Sequence, residues 1–324
     1  MQLVGQKEQV TVGVGRPGAR TPTRSRTRPR TRVVCAALLA AAVTALASGC
    51  GDTGGGEAAG GGKVKGAPGQ ERQLTKEEAA AKQRAEQTAR AAAAKRWGLE
   101  KTPLPAPPPP AQKPRLTTRE GFEVEGQEEL PPVFTTIPTK EKIVFLTIDD
   151  GADKDPDLLR MMDDLKLPYT AFLSDYLAKE DYGYFRKMRD QGVTLNNHTL
   201  THPYLPGLDY DDQKREICGM QDLMRKEFGK RPEVFRPPYG NYNQDTLRAA
   251  KSCGIKAVPL WNEEVFVDHW EYREWDQNLR PGDIVLTHFR GKNDWKGTMP
   301  DDIRRFMKLI TDKGYAVAKL EDYL

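Results

Sequence analysis

The 324-residue chain is long enough for one or two domains, but its charge changes along its length. Residues 1–32 hold eight Lys and Arg against one acid, residues 33–49 carry no charge, and the remainder holds 42 basic against 45 acidic side chains. The net charge of +4 therefore comes from the N-terminus, and the slightly acidic remainder excludes a basic surface for nucleic acid. A mean hydropathy of −0.68 with a single apolar run excludes a polytopic membrane protein.

Residues 1–49 have the organisation of a lipoprotein-type export signal. The arginine-rich start precedes fifteen uncharged residues at 33–47, a length typical of a signal peptide and short for a membrane span. The following LASGC resembles a bacterial lipobox that ends at a lipidated cysteine, Cys50, although its leucine lies one position too early. Ordinary secretory cleavage and an uncleaved anchor are the alternatives. All three place the rest of the chain outside the cytoplasm, and the lipoprotein hypothesis attaches it to the membrane through Cys50.

Residues 50–140 have the composition of a low-complexity linker. Residues 51–69 contain nine glycines, which favour flexible coil, and residues 103–114 contain seven prolines, which favour extended polyproline II. The Ala- and Glu-rich stretch between them begins with capping-box spacing (TKEE) and predicts a helix that ends near Arg96. Because this helix lacks an apolar stripe, we expect a solvated spacer. The whole segment is interpreted as a disordered and partly helical stalk before a catalytic domain at 141–324.

The last 184 residues alternate between predicted strands and helices. The strands are predicted at 142–148, 169–174, 193–197, 234–236, 255–261, 283–288 and 315–320. The helices are predicted at 155–165, 182–191, 212–228, 243–254 and 300–313. This alternation predicts an α/β fold with a parallel sheet, either open or closed into a barrel. In such folds, chemistry gathers at the carboxyl ends of the strands.

Polar side chains follow four of the predicted strands. They are Asp149 and Asp150, His198, Arg236 and His288. His198 and His202 are separated by three residues, and one helical turn would place both on the same side, as metal chelation requires. Adjacent carboxylates such as Asp149 and Asp150 repel each other unless a cation lies between them. The alternatives are a solvated Asp-Asp-Gly turn and histidines buried in the core.

These residues lie in segments that resemble motifs of the polysaccharide deacetylase family, also called the NodB-homology domain or carbohydrate esterase family 4. The segments are TIDDG at 147–151, HTLTH at 198–202, RPPY at 236–239 and IVLTH at 284–288. Their order and spacing agree with the family over residues 140–324. The resemblance implies a distorted (β/α) barrel of seven or eight parallel strands. It also implies a divalent metal ion, usually Zn²⁺, with Co²⁺, Ni²⁺ and Mn²⁺ as other candidates.

The resemblance further implies roles for individual residues. Asp150, His198 and His202 would hold the metal ion, Asp149 would be the general base, and His288 would protonate the departing amine.

The same resemblance assigns three supporting residues. Arg236 would pair with Asp149 and hold it ionised, unless it serves only to cap a strand end. The backbone N–H near Tyr239 would complete an oxyanion site, and Trp261 would line the substrate groove.

The fourth motif of the family is altered in this chain. The family shows two acids in this segment, and here Glu264 can stand for the first, while Val267 occupies the place of the second. In the family the second acid supports the catalytic histidine, so the support of His288 is open. The candidates are Asp268, which we expect to matter most, Glu264 and Glu263.

Two cysteines, Cys218 and Cys253, remain in the catalytic domain. In an oxidising compartment they could form a disulfide, and two buried thiols on separate helices are the alternative.

Taken together, these features predict a monomeric, metal-dependent deacetylase of a cell-surface glycan, with peptidoglycan N-acetylglucosamine as the leading substrate. One alternative is a secreted deacetylase of chitin or O-acetylated xylan. Another is an inactive glycan-binding protein on the same scaffold, which the altered fourth motif favours.

Overall fold

The computed structural model describes residues 76–324, in which strands and helices alternate. The predictions for residues 1–75, including the signal peptide, Cys50 and the glycine-rich stretch, lie outside the described residues. The strands are β1 (Val133–Phe134), β2 (Ile143–Asp150), β3 (Thr170–Leu173), β4 (Thr194–Asn197), β5 (Val258–Pro259), β6 (Glu263–Val265), β7 (Trp270–Tyr272), β8 (Ile284–His288) and β9 (Ala316–Val317). The helices are α1 (Lys76–Arg96), α2 (Pro156–Leu165), α3 (Asp175–Ala178), α4 (Tyr182–Asp190), α5 (Tyr210–Phe228), α6 (Gln244–Ser252) and α7 (Met299–Asp312).

The main sheet has the strand order β4-β3-β2-β8-β6-β7, and β9 pairs with the start of β2. Among these pairings, only that of β6 with β7 is antiparallel. A separate parallel pair joins β1 to β5. The predicted parallel α/β fold is therefore confirmed for the strands that bear the predicted site.

Isolated bridges close these strands into a ring. Residues 234–235 pair in parallel with the end of β4 on one side and with the residue before β5 on the other. Thr136, just after β1, forms an antiparallel bridge with Asp283, just before β8. Hydrogen bonds thus run from β2 through β3, β4, residues 234–235, β5, β1 and β8 back to β2. This confirms the distorted (β/α) barrel, whose distortions are the antiparallel bridge and the very short strands.

The barrel strands are buried because helices cover them and side chains fill the interior. All eight residues of β2 are buried, and its largely apolar start, IVFLTI, suits the centre of a parallel sheet. α7 packs Ile303, Phe306 and Ile310 against the sheet, and Thr298 caps its first turn. Each large apolar side chain buried in this way contributes about 1.5–3 kcal/mol. This packing fixes the strand ends at which the site is built.

The two cysteines of the barrel form a disulfide. Cys218 of α5 is bonded to Cys253, the residue that ends α6, with their Cα atoms 5.1 Å apart. Of the two alternatives left open by the sequence, the structure contains the bridge.

The helix that ends at Arg96 is confirmed as α1; most of its described side chains are exposed, but its last turn packs against the barrel domain. Its last turn buries Ala93 and Ala94 in the core cluster that also contains residues of α2 and α7. The indole Nε1 of Trp97 donates a hydrogen bond to Asp164 of α2 at 2.7 Å. Small alanine side chains allow this close packing without the large apolar stripe that the sequence lacks.

The segment between α1 and β2 also belongs to the folded unit. β1 lies within the predicted linker, and both of its residues are buried. Phe122 and Leu130 pack against the core cluster between α5 and α6. The described residues 76–324 fall in one compact unit, so the folded region begins before residue 141, where the catalytic domain was predicted to start. The composition of this segment did not indicate that it folds, because its buried residues occur singly among prolines and charged side chains.

Within residues 76–324, none of the helices has both the length and the apolar character that crossing a membrane requires.

Candidate metal centre

The centre begins with two adjacent carboxylates, Asp149 and Asp150, at the carboxyl end of β2. Successive strand residues normally face opposite sides, but the φ of +80° at Asp150 breaks this alternation. As a result, Asp149 Oδ2 and Asp150 Oδ1 lie 3.7 and 3.5 Å from the same atom, His198 Nε2. Both side chains are buried. The turn after the strand thus brings two like charges to one place.

His198 and His202 reach the centre from the loop after β4. No helical turn joins them, contrary to the expectation from their spacing: Thr199 and His202 both have positive φ, and these bends bring the two rings within 4.9 Å. His198 Nδ1 donates to the carbonyl of Arg236 at 2.7 Å, since a carbonyl can only accept. This hydrogen bond fixes the tautomer and leaves Nε2 as the free ligand atom.

Three residues of this group fit a divalent ion. Asp150, His198 and His202 each offer a ligand atom, and these atoms lie within 4.8 Å of one another. Asp150 Oδ1 is buried and accepts no hydrogen bond from the described residues, so it remains available to a cation. One carboxylate and two imidazoles form a zinc-type ligand set that leaves a coordination position open.

The protonation of these ligands also suits a cation. Burial and the neighbouring His198 lower the pKa of His202 to about 3, so its ring is neutral at pH 7. Burial alone would raise the pKa of Asp150, but the adjacent imidazole of His198 and the positive charge of His288 hold it well below its usual range.

Asp149 is held by the fully buried Arg236. Arg236 Nη1 donates to Asp149 Oδ1 at 2.8 Å, and its Nε donates to the carbonyl of Pro259 at 2.9 Å. The guanidinium also stacks on Phe172, 4.3 Å from the ring centroid. Asp149 therefore keeps its second oxygen, Oδ2, turned toward the imidazole of His198.

His288, at the end of β8, pairs with an acid from the altered motif. Its Nδ1 lies 3.2 Å from Glu264 Oε1, and 19 % of its side chain remains exposed. Burial lowers the pKa of His288, but the pairing with Glu264 and the charges of Asp150 and Asp149 outweigh that effect and raise the pKa to about 9. His288 is thus protonated at neutral pH.

The other two candidates for this supporting role lie elsewhere. The structure does not bring Asp268, the acid that we expected to matter most, to His288: Asp268 is exposed and pairs with His269 Nδ1 at 2.7 Å. Glu263 precedes Glu264 on β6 and so faces the opposite side, where burial and then Asp283 raise its pKa to about 10.

The two predicted substrate-contacting residues take different positions. Tyr239 is 46 % exposed, and its ring lies 4.6 Å from that of His202. Trp261 is half-buried, and it packs against Gly240 and lies 5.6 Å from the guanidinium carbon of Arg236.

Sequence reasoning missed Arg290, in the loop after β8. Its Nη2 donates to Asp150 Oδ2 at 2.7 Å. The only signal was an arginine two residues after His288, which no motif singled out. Trp295 of the same loop lies 6.3 Å from His288 and was missed as well.

Comparison with known proteins agrees with this geometry. A family model described as polysaccharide deacetylase matches residues 136–258. An uncharacterized protein of Streptomyces coelicolor is 39 % identical over 203 residues, which cover 62 % of this chain and 81 % of that protein. The chain belongs to the polysaccharide deacetylase family. It is therefore an enzyme of the hydrolase class to which these deacetylases belong.

Two further matches show the range of this family. A peptidoglycan-N-acetylglucosamine deacetylase of Bacillus cereus is 26 % identical, and the match covers 61 % of this chain and 97 % of the relative. The solved structure of a family 4 pseudoenzyme from Bacillus anthracis has a TM-score of 0.50 at 19 % identity, covering 61 % of this chain and 70 % of that one. The second likeness shows the shared fold alone, so the argument for catalysis depends on the residues of the site.

Proposed function

We propose that this protein is a metal-dependent hydrolase that removes N-acetyl groups from peptidoglycan N-acetylglucosamine. The observation that carries the proposal is the grouping of Asp150, His198 and His202 beside a separately held carboxylate, Asp149. Metal-assisted hydrolysis of an amide requires a set of metal ligands with a general base beside it, and these four residues supply both. His288 adds the proton donor that an amine leaving group needs.

The ion would be held by Asp150 Oδ1 and the Nε2 atoms of His198 and His202. This mixture of one carboxylate and two imidazoles favours Zn²⁺. A bound ion of this kind polarises a carbonyl group and makes a water molecule nucleophilic at neutral pH.

The protein's own side chains move the protons. Asp149 Oδ2 accepts a proton from the attacking water, since Oδ1 is occupied by the guanidinium of Arg236. His288 Nδ1 is paired with Glu264, so Nε2 is the atom that donates a proton to the departing amine. Because the pKa of His288 is raised to about 9, the ring carries that proton at neutral pH.

The choice of substrate is supported by the relative from Bacillus cereus, whose name gives peptidoglycan N-acetylglucosamine. Acetate release should be measured on peptidoglycan, chitooligosaccharide and acetylxylan, before and after chelation and with zinc restored. We expect release from peptidoglycan that is lost with the chelator and regained with zinc. Preference for either other substrate would overturn the peptidoglycan assignment. Zinc binding without acetate release from any of them would favour a glycan-binding protein.

We also propose that the protein acts at the outer face of the cell membrane as a lipoprotein. The support is the apolar run at 33–47 followed by LASGC, which ends at Cys50. Cys50→Ala should release the protein into the medium or leave it as unprocessed precursor. A mutant that partitions and migrates like the wild type would contradict this proposal.

A further inference from the structure

Each of the two adjacent carboxylates has its own arginine. Arg236 donates to Asp149 at 2.8 Å, and Arg290 donates to Asp150 at 2.7 Å. Arg236 comes from the strand-like residues after β4, whereas Arg290 follows β8 on the other side of β2. These two buried, negatively charged side chains lie on successive residues, and each thus has a different arginine as its counter-charge.

The position of Arg290 is fixed by its backbone. Asp149 and His288 are paired residues of β2 and β8, so Arg290 lies two positions beyond this pair. Its amide N–H lies 2.8 Å from the carbonyl of His288 and 3.3 Å from the sulfur of Met299. The loop therefore directs the arginine side chain back to the end of β2.

The two oxygens of Asp150 face different partners. Oδ2 accepts from Arg290, whereas Oδ1 lies 3.5 and 3.3 Å from the Nε2 atoms of His198 and His202. Only 2 % of the Asp150 side chain is exposed, against 25 % of Arg290. The guanidinium consequently neutralises the carboxylate from its outer side and leaves the inner oxygen to the metal position.

We propose that Arg290 is a positioning residue that acts as the counter-charge of Asp150, keeping the metal-free site folded and moderating its affinity for the metal ion. The inference rests on the metal site of the proposed function. Removing the counter-charge of a buried carboxylate shifts the unfolding equilibrium toward the unfolded state by a factor on the order of 10²–10⁴. A bound divalent ion supplies positive charge to the same carboxylate, so the loss is smaller in the metal-loaded protein.

These two effects fix the sign of the change in metal affinity. If Arg290→Met destabilises the metal-free protein more than the loaded protein, linkage requires the variant to bind the ion more tightly. The opposing effect is loss of orientation of a ligand, which typically weakens affinity by about 10–100-fold. Because the counter-charge factor is the larger one, we expect zinc affinity to rise by about tenfold.

The experiment compares the wild type with Arg290→Met, Arg290→Lys and Lys292→Met. Lys292→Met is the matched control, since Lys292 lies in the same loop, is exposed and loses the same charge. Denaturant unfolding is measured with and without zinc, and zinc affinity by competition with a chelator. We expect Arg290→Met to lose stability mainly without zinc, Arg290→Lys to retain most of it, and Lys292→Met to resemble the wild type.

Equal destabilisation with and without zinc, or weaker zinc binding by Arg290→Met, would overturn the proposal. If Arg290→Met does not fold in either state, the same comparison is made with Arg290→Lys, which must bind zinc no more weakly than the wild type. None of these measurements uses acetate release. A failure of the proposed deacetylase activity therefore remains distinguishable from a failure of this inference.

Discussion

At the scale of single residues, two identical side chains of the site, Asp149 and Asp150, differ in their bonding partners. Asp149 is held by Arg236 and keeps one oxygen beside His198, whereas Asp150 presents an oxygen to two imidazoles. A solvated Asp-Asp-Gly turn would leave the two carboxylates exposed and interchangeable, but both are buried. Their partners therefore predict different consequences for the same substitution.

Asp149→Asn should leave the metal bound and remove the base, which lowers kcat by a factor on the order of 10²–10⁴ with no rescue by added zinc. Asp150→Asn replaces a charged ligand with a neutral amide, so it should lose metal, and excess zinc should restore part of the activity. The measurement is metal content by elemental analysis beside acetate release. Loss of metal from Asp149→Asn, or wild-type activity of both variants, would contradict the assignment of base and ligand.

Glu264→Gln should move the basic limb of the pH–rate profile to lower pH. His288 donates a proton, so activity falls as pH rises through its pKa of about 9. Removing the Glu264 charge removes the main cause that raises this pKa, so the limb should shift down by about two units, to a pKa of about 7, and kcat at pH 8 should fall about tenfold. Asp268→Asn is the control and should leave the profile unchanged, because Asp268 pairs with His269. An effect of Asp268→Asn alone would favour the original expectation from sequence.

Most of the site could be predicted because its residues occur in compact motifs at strand ends. Asp149, Asp150, His198 and His202 are brought together as the motifs implied. The partner of His288 could not be chosen from sequence, since three acids lie within six positions. Their assignment depends on β6, a three-residue strand whose alternation turns Glu264 inward and Glu263 outward.

At the scale of elements, the length of the apolar pattern in each segment decided which strands and helices could be predicted from the sequence. β2 and α5 were predicted close to their observed bounds because these elements are eight and nineteen residues long and most of their length carries an apolar pattern. β1, β6 and β7 were missed because two or three residues give no periodicity of their own, whereas the equally short β5 and β9 were predicted because they lie within longer apolar segments. These short elements exist because neighbouring strands supply their hydrogen bonds, which is a property of the fold rather than of the segment.

The disulfide between α5 and α6 makes a prediction about these elements. Its ends are 35 residues apart, and a cross-link of that length constrains the unfolded chain by about 3–4 kcal/mol. The double variant Cys218→Ser/Cys253→Ser should lose this amount of unfolding free energy and become insensitive to reducing agent. The protein beginning at Lys76 contains only these two cysteines, so thiol titration under denaturing, non-reducing conditions should detect none. Two titratable thiols would disprove the bridge.

At the scale of the whole molecule, the folded unit is longer than its catalytic motifs indicate. β1 closes the barrel beside β5, and α1 packs on α2 through Ala93, Ala94 and Trp97. Ion pairs from Lys101 to Asp312 and from Glu100 to Lys308 join the same segment to α7. Residues 76–140 thus contribute both a barrel strand and an outer helix.

Three truncated proteins test this boundary, beginning at residues 76, 115 and 141. The first keeps every described element and should unfold cooperatively. The second loses α1 but keeps β1, so it should fold with lower stability and still bind zinc. The third loses Val133 and Phe134, and two buried apolar side chains contribute about 3–6 kcal/mol against a typical total stability of about 5–15 kcal/mol. It also leaves the barrel open beside β5, so we expect it to aggregate or to lack a cooperative transition. Calorimetry and zinc titration are applied to all three proteins. If the protein of residues 141–324 is as stable as that of residues 76–324, residues 76–140 are a linker, as the sequence analysis expected.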